Sequence, residues 1–231
     1  MAQTEFILEN IPFQADFPLL MEKLRLKEGS SYVARLESLV REAEAIARPK
    51  ALYKVMPIEA RGDDYVQLDG ATLTSRVLRI NLEPANRVFL FVATGGIELE
   101  TWAKAIDDML YNFYADAISE LALRTAIEAM NRDIDDRFRP GHTSNMHPGS
   151  LADWPIKQQK VLFDLLGNTQ EAIGVELMDS LLMYPTKSVS GIRFPTAESF
   201  QNCQLCPLEN CPNRRAPYDE SLYERKYCPA P

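Results

Sequence analysis

Four cysteines, Cys203, Cys206, Cys211 and Cys228, stand within the last 29 of 231 residues, spaced Cys-x2-Cys-x4-Cys with 16 residues before the fourth. Disulfides that staple a fold of this size would be spread along it, so the clustering points to a local metal-binding or redox element. Thiolates at these spacings can complete a zinc site or hold one iron–sulfur cluster. Pro207, Pro212 and Pro229 each follow a cysteine, a habit of iron–sulfur ligand runs that tilts the expectation toward the cluster. All four thiols are therefore expected to hold one metal centre, iron–sulfur in preference to zinc.

Other chemically suggestive groups read as structure. His142 and His147 are the only histidines, too few convergent ligands for a metal and no basis for a serine, histidine and acid constellation. Thr94-Gly95-Gly96 could cradle an anion, but it lacks extended glycine spacing and is read as a tight turn. Asp107-Asp108 and Asp135-Asp136 are adjacent pairs that do not share a helix face, so they are read as solvated or capping charges. No catalytic residue is expected.

The elements that must position these groups follow from periodicity. Residues 31–47 carry Val33, Leu36, Leu39, Val40, Ala43 and Ile46 on one helical stripe, which Pro49 stops. Strand-like runs occupy 51–58, 65–68, 72–82 and 87–93, and their short connections favour antiparallel pairing. A long helix is expected from Glu98 to about Asp135, with Trp102, Ile106, Met109, Phe113, Ala117 and Leu121 repeating every three or four residues. Residues 138–153 read as an irregular loop, and Asp153 as the N-cap of a helix over 154–166. Strands, then helices, then irregular chain describe an α+β class.

Composition narrows the function. Acidic residues outnumber basic ones, 33 to 25, with no long basic run, which argues against nucleic-acid binding. No stretch approaches the roughly 20 apolar residues of a membrane span, and no leader pattern is visible. A cytoplasmic location is expected. One main domain over 1–200 with a Cys-rich tail over 201–231 suits the length.

Three ordered motifs carry a resemblance: RFRPGH at 137–142, LADWPIKQQKVLFDLL at 151–166, and IGVELMDSLLMYPTKSVSGIRF at 173–194. In order and spacing they resemble the activation domain of cobalamin-dependent methionine synthase, with its R-x-x-x-G-Y loop, its helix ending in a leucine pair and its A-M-x-P-x-x-S-V-S-G stretch. The likeness is strongest over 87–200, where FVATGG and the long Ala-rich helix also agree. It implies a domain that binds S-adenosylmethionine for reductive methylation of cobalamin. It places Arg137 and Gly141 against the methionine moiety, with Ser190 and Gly191 closing the pocket. His142 stands where the family has tyrosine, and Arg193 where it has an aromatic residue.

The chain lacks the homocysteine, folate and cobalamin modules of the synthase, and the Asp-x-His-x-x-Gly corrinoid motif is absent. The resemblance therefore implies action in trans on a corrinoid protein or on a cobalamin-dependent methionine synthase without its own activation domain. The alternative is a non-catalytic binding module or chaperone for a corrinoid protein, with a structural metal in its tail.

Overall fold

The computed structural model describes residues 4–197, 200–208, 210–211 and 214–228. In chain order, the first half comprises β1 (Glu5–Leu8), α1 (Phe17–Lys23), α2 (Val33–Ile46), β2 (Lys50–Pro57), β3 (Ala60–Arg61), β4 (Tyr65–Leu68), β5 (Ala71–Thr74), α3 (Arg76–Asn81) and β6 (Arg87–Thr94). The second half comprises α4 (Ile97–Lys104), α5 (Met109–Phe138), β7 (Thr143–Met146), α6 (Gln159–Leu166), α7 (Thr169–Ile173), β8 (Glu176–Leu177), β9 (Met183–Tyr184) and β10 (Ser188–Pro195). The main sheet is antiparallel throughout, in the order β1-β2-β6-β10-β7. Strands β3 to β5 make a small second sheet, and β8 and β9 a hairpin.

Both faces of the main sheet are covered, which is why β6 reads as a continuous apolar run. Val88, Leu90 and Val92 point to one side, where they meet Leu52, Ile192, Phe194, Trp154 and Phe163. Phe89, Phe91 and Ala93 alternate to the other side, against Ala126, Met130 and Ile134 of α5, which share a stripe at four-residue spacing. The first half of α5 packs with α1, α2 and α4 through Leu20, Leu36, Leu39, Leu99 and Ile118. This is the α+β fold expected from the sequence, with α2 where its apolar stripe put it.

Four local expectations are corrected. The strand expected over 72–82 ends at Thr74, because the Ser75 side chain accepts the Leu78 N–H at 3.0 Å and caps α3. The single long helix is two, since Asp108 accepts from the N–H groups of Leu110 (2.9 Å) and Tyr111 (3.1 Å) and starts α5 afresh. The irregular segment 138–153 contains β7, the edge strand. The helix expected over 154–166 opens as a 3-10 turn, Ile156–Gln158, before α6.

Asp153 does not cap α6. Its carboxylate accepts from Ser75 Oγ and from the Val77 N–H (3.0 Å) at the start of α3, and from the Tyr223 hydroxyl (3.3 Å) in the C-terminal region. That region is docked on the core: Tyr227 is fully buried, its hydroxyl donates to Asn81 Oδ1 at 3.0 Å, and Arg76 Nε donates to its carbonyl. Asp153 thus joins α3, the segment before α6 and the tail at one point. Replacing Asp153 by Ala should cost about 1.5–3 kcal/mol, the usual worth of hydrogen bonds to a charged group. Urea unfolding reads that cost, and hydrogen exchange should show lost protection in both α3 and residues 222–228; protection lost in α3 alone would show that Asp153 does not hold the tail.

Candidate functional site

Strand β10 carries Ser190, Gly191 and Arg193 at the interior of the sheet, between β6 and β7. Gly191 lies opposite Phe91, and a Cβ built on it would meet His147 Nδ1 and the Met146 carbonyl at 2.6 Å each. The glycine is required because the imidazole lies on it. His147 Nδ1 is 2.8 Å from the Ser190 carbonyl, which can only accept, so Nδ1 carries the proton and Nε2 keeps a lone pair. Burial lowers the pKa of His147, the Ser190 carbonyl opposes the shift, and the nearby Arg215 adds to it.

Arg193 is buried, and its donors are committed to the protein. Nε donates to Thr143 Oγ1 (2.9 Å), Nη1 to the Asn131 carbonyl (3.0 Å) and Oδ1 (3.1 Å), and Nη2 to Asp135 Oδ1 (2.6 Å). Arg137 goes the other way: Nε pairs with Asp133 at 2.8 Å and the guanidinium lies over the Phe6 ring at 5.0 Å, on the β1 side of the sheet. The chain turns between α5 and β7 through Arg139 (φ 44°) and Gly141 (φ 73°). Gly141 and the His142 side chain are exposed, and the His142 carbonyl accepts the Thr196 N–H at 2.9 Å.

The Thr94-Gly95-Gly96 turn uses its donors internally. The Gly95 N–H donates to the Lys187 carbonyl (2.9 Å) and the Gly96 N–H to Thr94 Oγ1 (3.1 Å). A Cβ on Gly96, where φ is 101°, would meet the Arg48 carbonyl at 2.7 Å.

A polar cavity of about 330 Å³ opens between β7 and the tail, with Thr143, Asn145, His147, Asn202, Cys203 and Arg215 among its walls. Two features suit it to a polar ligand. The side-chain oxygens of Asn145 and Asn202 are buried without a hydrogen-bond partner among the described residues, a condition that costs about 1–3 kcal/mol per group unless something fills it. And none of the ion pairs among the described residues involves Arg215, so the cavity has a cation to offer an anionic group.

Of the six expected ligand-binding residues, Arg137, Gly141, His142, Ser190, Gly191 and Arg193, none is among the cavity walls. His142 precedes the wall residue Thr143 and Gly191 lies under His147, whereas the Arg137 side chain faces the opposite edge of the sheet. The residues that do line it carried little sequence signal. β7 reads TSNM and has no apolar alternation, and Arg215 lies in the tail beyond the recognised motifs.

The four cysteines are free thiols that do not assemble into one centre. Among the described residues no three His, Cys, Asp or Glu side chains are grouped so as to hold a metal ion. Cys203 and Cys206 line the cavity and the other two do not; Cys228 lies beside Tyr223. The loop from Cys203 closes instead on the Arg214 guanidinium, which donates to the carbonyls of Cys203 (3.0 Å), Cys206 (3.0 Å), Leu208 and Ala216 (3.1 Å). As arranged, the donor set does not fit a cluster or a four-thiolate zinc ion.

Two outcomes test the packing around His147. Gly191→Ala must displace the imidazole or the strand and should cost about 1–3 kcal/mol in urea unfolding, the range for overpacking; an unchanged midpoint would show that the ring is free to move. The lowered pKa of His147 also makes stability depend on pH. The unfolded chain takes up the proton near its ordinary value of about 6.5, which the native imidazole resists. Stability from this group is therefore full above that value and is lost as pH falls through it toward the lower native value. The unfolding midpoint of the wild type should drop more steeply between about pH 7 and 5.5 than that of His147→Asn, and parallel curves would show that the ring is not desolvated.

Residues 146–205 match the family model described as "Vitamin B12 dependent methionine synthase, activation domain". Among solved structures the chain resembles "Crystal Structure of the MetH Reactivation Domain bound to AdoHcy", with a TM-score of 0.64 and 16% identity, over 85% of this chain and 80% of that one. No curated protein matches the chain. Among the described residues no helix is long and apolar enough to cross a membrane. The chain thus has the fold of the MetH reactivation domain, and its residues 146–205 carry the match to the activation-domain family of vitamin B12 dependent methionine synthase.

Proposed function

We propose that this protein binds S-adenosylmethionine or S-adenosylhomocysteine in the cavity between β7 and the tail, and serves reductive methylation of a corrinoid held by a separate protein. The observation that carries the reading is the cavity itself, with a cation free of ion pairs and two buried amide oxygens lacking partners. An α-amino acid group complements both: its carboxylate pairs with Arg215, and its ammonium donates to Asn145 and Asn202. The fold shared with a reactivation domain crystallised with AdoHcy supports the same ligand class.

When bound, S-adenosylmethionine supplies an electrophilic sulfonium methyl, and the partner's reduced corrinoid is the nucleophile. This chain's contribution is binding, orientation and exclusion of water. His147 acts as a neutral acceptor, since its Nδ1 proton is held by the Ser190 carbonyl. The partner is a corrinoid protein or a cobalamin-dependent methionine synthase lacking its own activation domain. The sequence motif at 137–142 contributes by turning the chain into β7, with Gly141 and His142 leading into the strand that walls the cavity, while the Arg137 side chain faces the other edge of the sheet.

Calorimetry with S-adenosylhomocysteine tests the reading. Binding is expected in the wild type, and Arg215→Ala should weaken it by about 1.5–3 kcal/mol, the worth of a charge-assisted bond. Arg137→Ala should leave the affinity nearly unchanged. No heat of binding in the wild type removes the ligand. The reverse pattern, with Arg137 sensitive and Arg215 silent, moves the ligand out of the cavity to the loop at 137–142. Methylation of a reductively poised corrinoid protein in the presence of the chain and S-adenosylmethionine tests the action in trans.

A further inference from the structure

The split among the four cysteines has a chemical meaning of its own. Cys203 lies in the 3-10 turn Asn202–Leu205 and Cys206 caps its C-terminal end, so the two are three residues apart in a helix with three residues per turn. At that spacing side chains eclipse, and a rise of about 2 Å per residue puts the Cα atoms roughly 6 Å apart. A disulfide requires about 4.4–6.8 Å between Cα atoms. The turn's own hydrogen bond runs between the same two residues, from the Cys206 N–H to the Cys203 carbonyl at 3.3 Å.

Everything around the pair holds it in that relation. Arg214 donates to both carbonyls, the Gln201 and Gln204 side chains form a capping box across the start of the turn, and the Arg215 N–H donates to Cys203 Sγ at 3.4 Å. Both cysteines are only partly buried, and both face the cavity that holds Arg215 and His147. Cys211, though partly buried as well, and the exposed Cys228 do not line the cavity.

We propose that Cys203 and Cys206 are a redox-active dithiol in the cavity wall, which exchanges with low-molecular-weight disulfides that carry carboxylates, while Cys211 and Cys228 take no part. The thiolate of one cysteine attacks a sulfur of the small disulfide; the new S–S bond joins protein and half the reagent, and the other half leaves as a thiol. The second cysteine then attacks the protein sulfur of that mixed disulfide, closes the Cys203–Cys206 bond and expels the other half. Two protein thiols are oxidised by two electrons, one small disulfide is reduced to two thiols, and the two protein protons end on them. Arg215 selects for an anionic reagent. The proposal does not rest on S-adenosylmethionine binding.

The full-length protein, purified without oxygen and assayed for iron and zinc, is equilibrated with glutathione and glutathione disulfide at graded ratios, alkylated and mapped by mass spectrometry. The expected product has Cys203 and Cys206 joined and two hydrogens lost, with Cys211 and Cys228 fully alkylated. The Cys211→Ser, Cys228→Ser double variant should titrate as the wild type does. Cys206→Ser should stop at a mixed disulfide on Cys203. Glutathione disulfide should react several-fold faster than the cationic disulfide cystamine, and Arg215→Ala should erase that preference. Stoichiometric iron or zinc that is lost in Cys211→Ser would overturn the proposal in favour of a four-thiolate centre. So would a disulfide between any other pair, or four thiols that stay reduced across the titration.

Discussion

A buried guanidinium has to find partners for its donors, and most of this structure's right-hand edge follows from how Arg193 finds them. The side chain leaves β10 at the interior of the sheet with 7% of its surface exposed, where an unpaired charge would be costly. Its partners come from two other elements, Thr143 of β7 and the pair Asn131 and Asp135 of α5. One residue therefore ties the last turns of α5 and the edge strand β7 to β10. An aromatic residue at this place could pack but could not make those bonds, so here the position serves as a fastening for the sheet's edge.

The last turns of α5 are two-sided for the same reason. Residues 131 and 135 are four apart and share a face, as do 133 and 137, and the two rows are about 200° apart around the axis. The first row faces Arg193 and β7. The second faces β1 and β2, where Asp133 accepts from both Tyr53 and Arg137. Burial and the Asp133 carboxylate push the Tyr53 hydroxyl well above its ordinary pKa, so it remains a proton donor to that carboxylate. A motif that looks contiguous in sequence is thereby divided: the Arg137 side chain goes to one edge of the sheet, while the backbone after Gly141 enters the other.

Much of the fold was legible because it obeys simple periodicities. The stripe of α2, the strand-like run of β6 and the turn at Gly95-Gly96 are all local statements that tertiary packing leaves intact. The misses occurred where a short polar side chain decided between alternatives. Ser75 converts the end of a strand-like run into a helix, Asp108 restarts a helix whose apolar pattern runs through it, and Asp153 caps a helix 76 residues before it. Strand β7 was invisible because TSNM has no apolar face to bury beyond Met146 and takes its place from pairing with β10. The family motifs were visible, yet the cavity was not, since its walls come from β7 and the tail and no spacing rule joins them.

The cavity also has to be weighed against the charge of the whole chain. With a formal net charge of −8, the protein repels small anions at long range, and at physiological salt that field is screened within about 8 Å. Recognition of an anionic group therefore depends on a cation at contact distance, where the attraction is strongest. Arg214 cannot serve, because four carbonyls already surround it; by ordering the loop it leaves Arg215 as the side chain that faces the cavity. The two adjacent arginines thus divide the work, one organising the tail from within and the other presenting charge beside Cys203, Cys206 and His147. Both lie beyond residue 205, where the family match ends, so a part of the chain outside that match supplies the electrostatics of its candidate site.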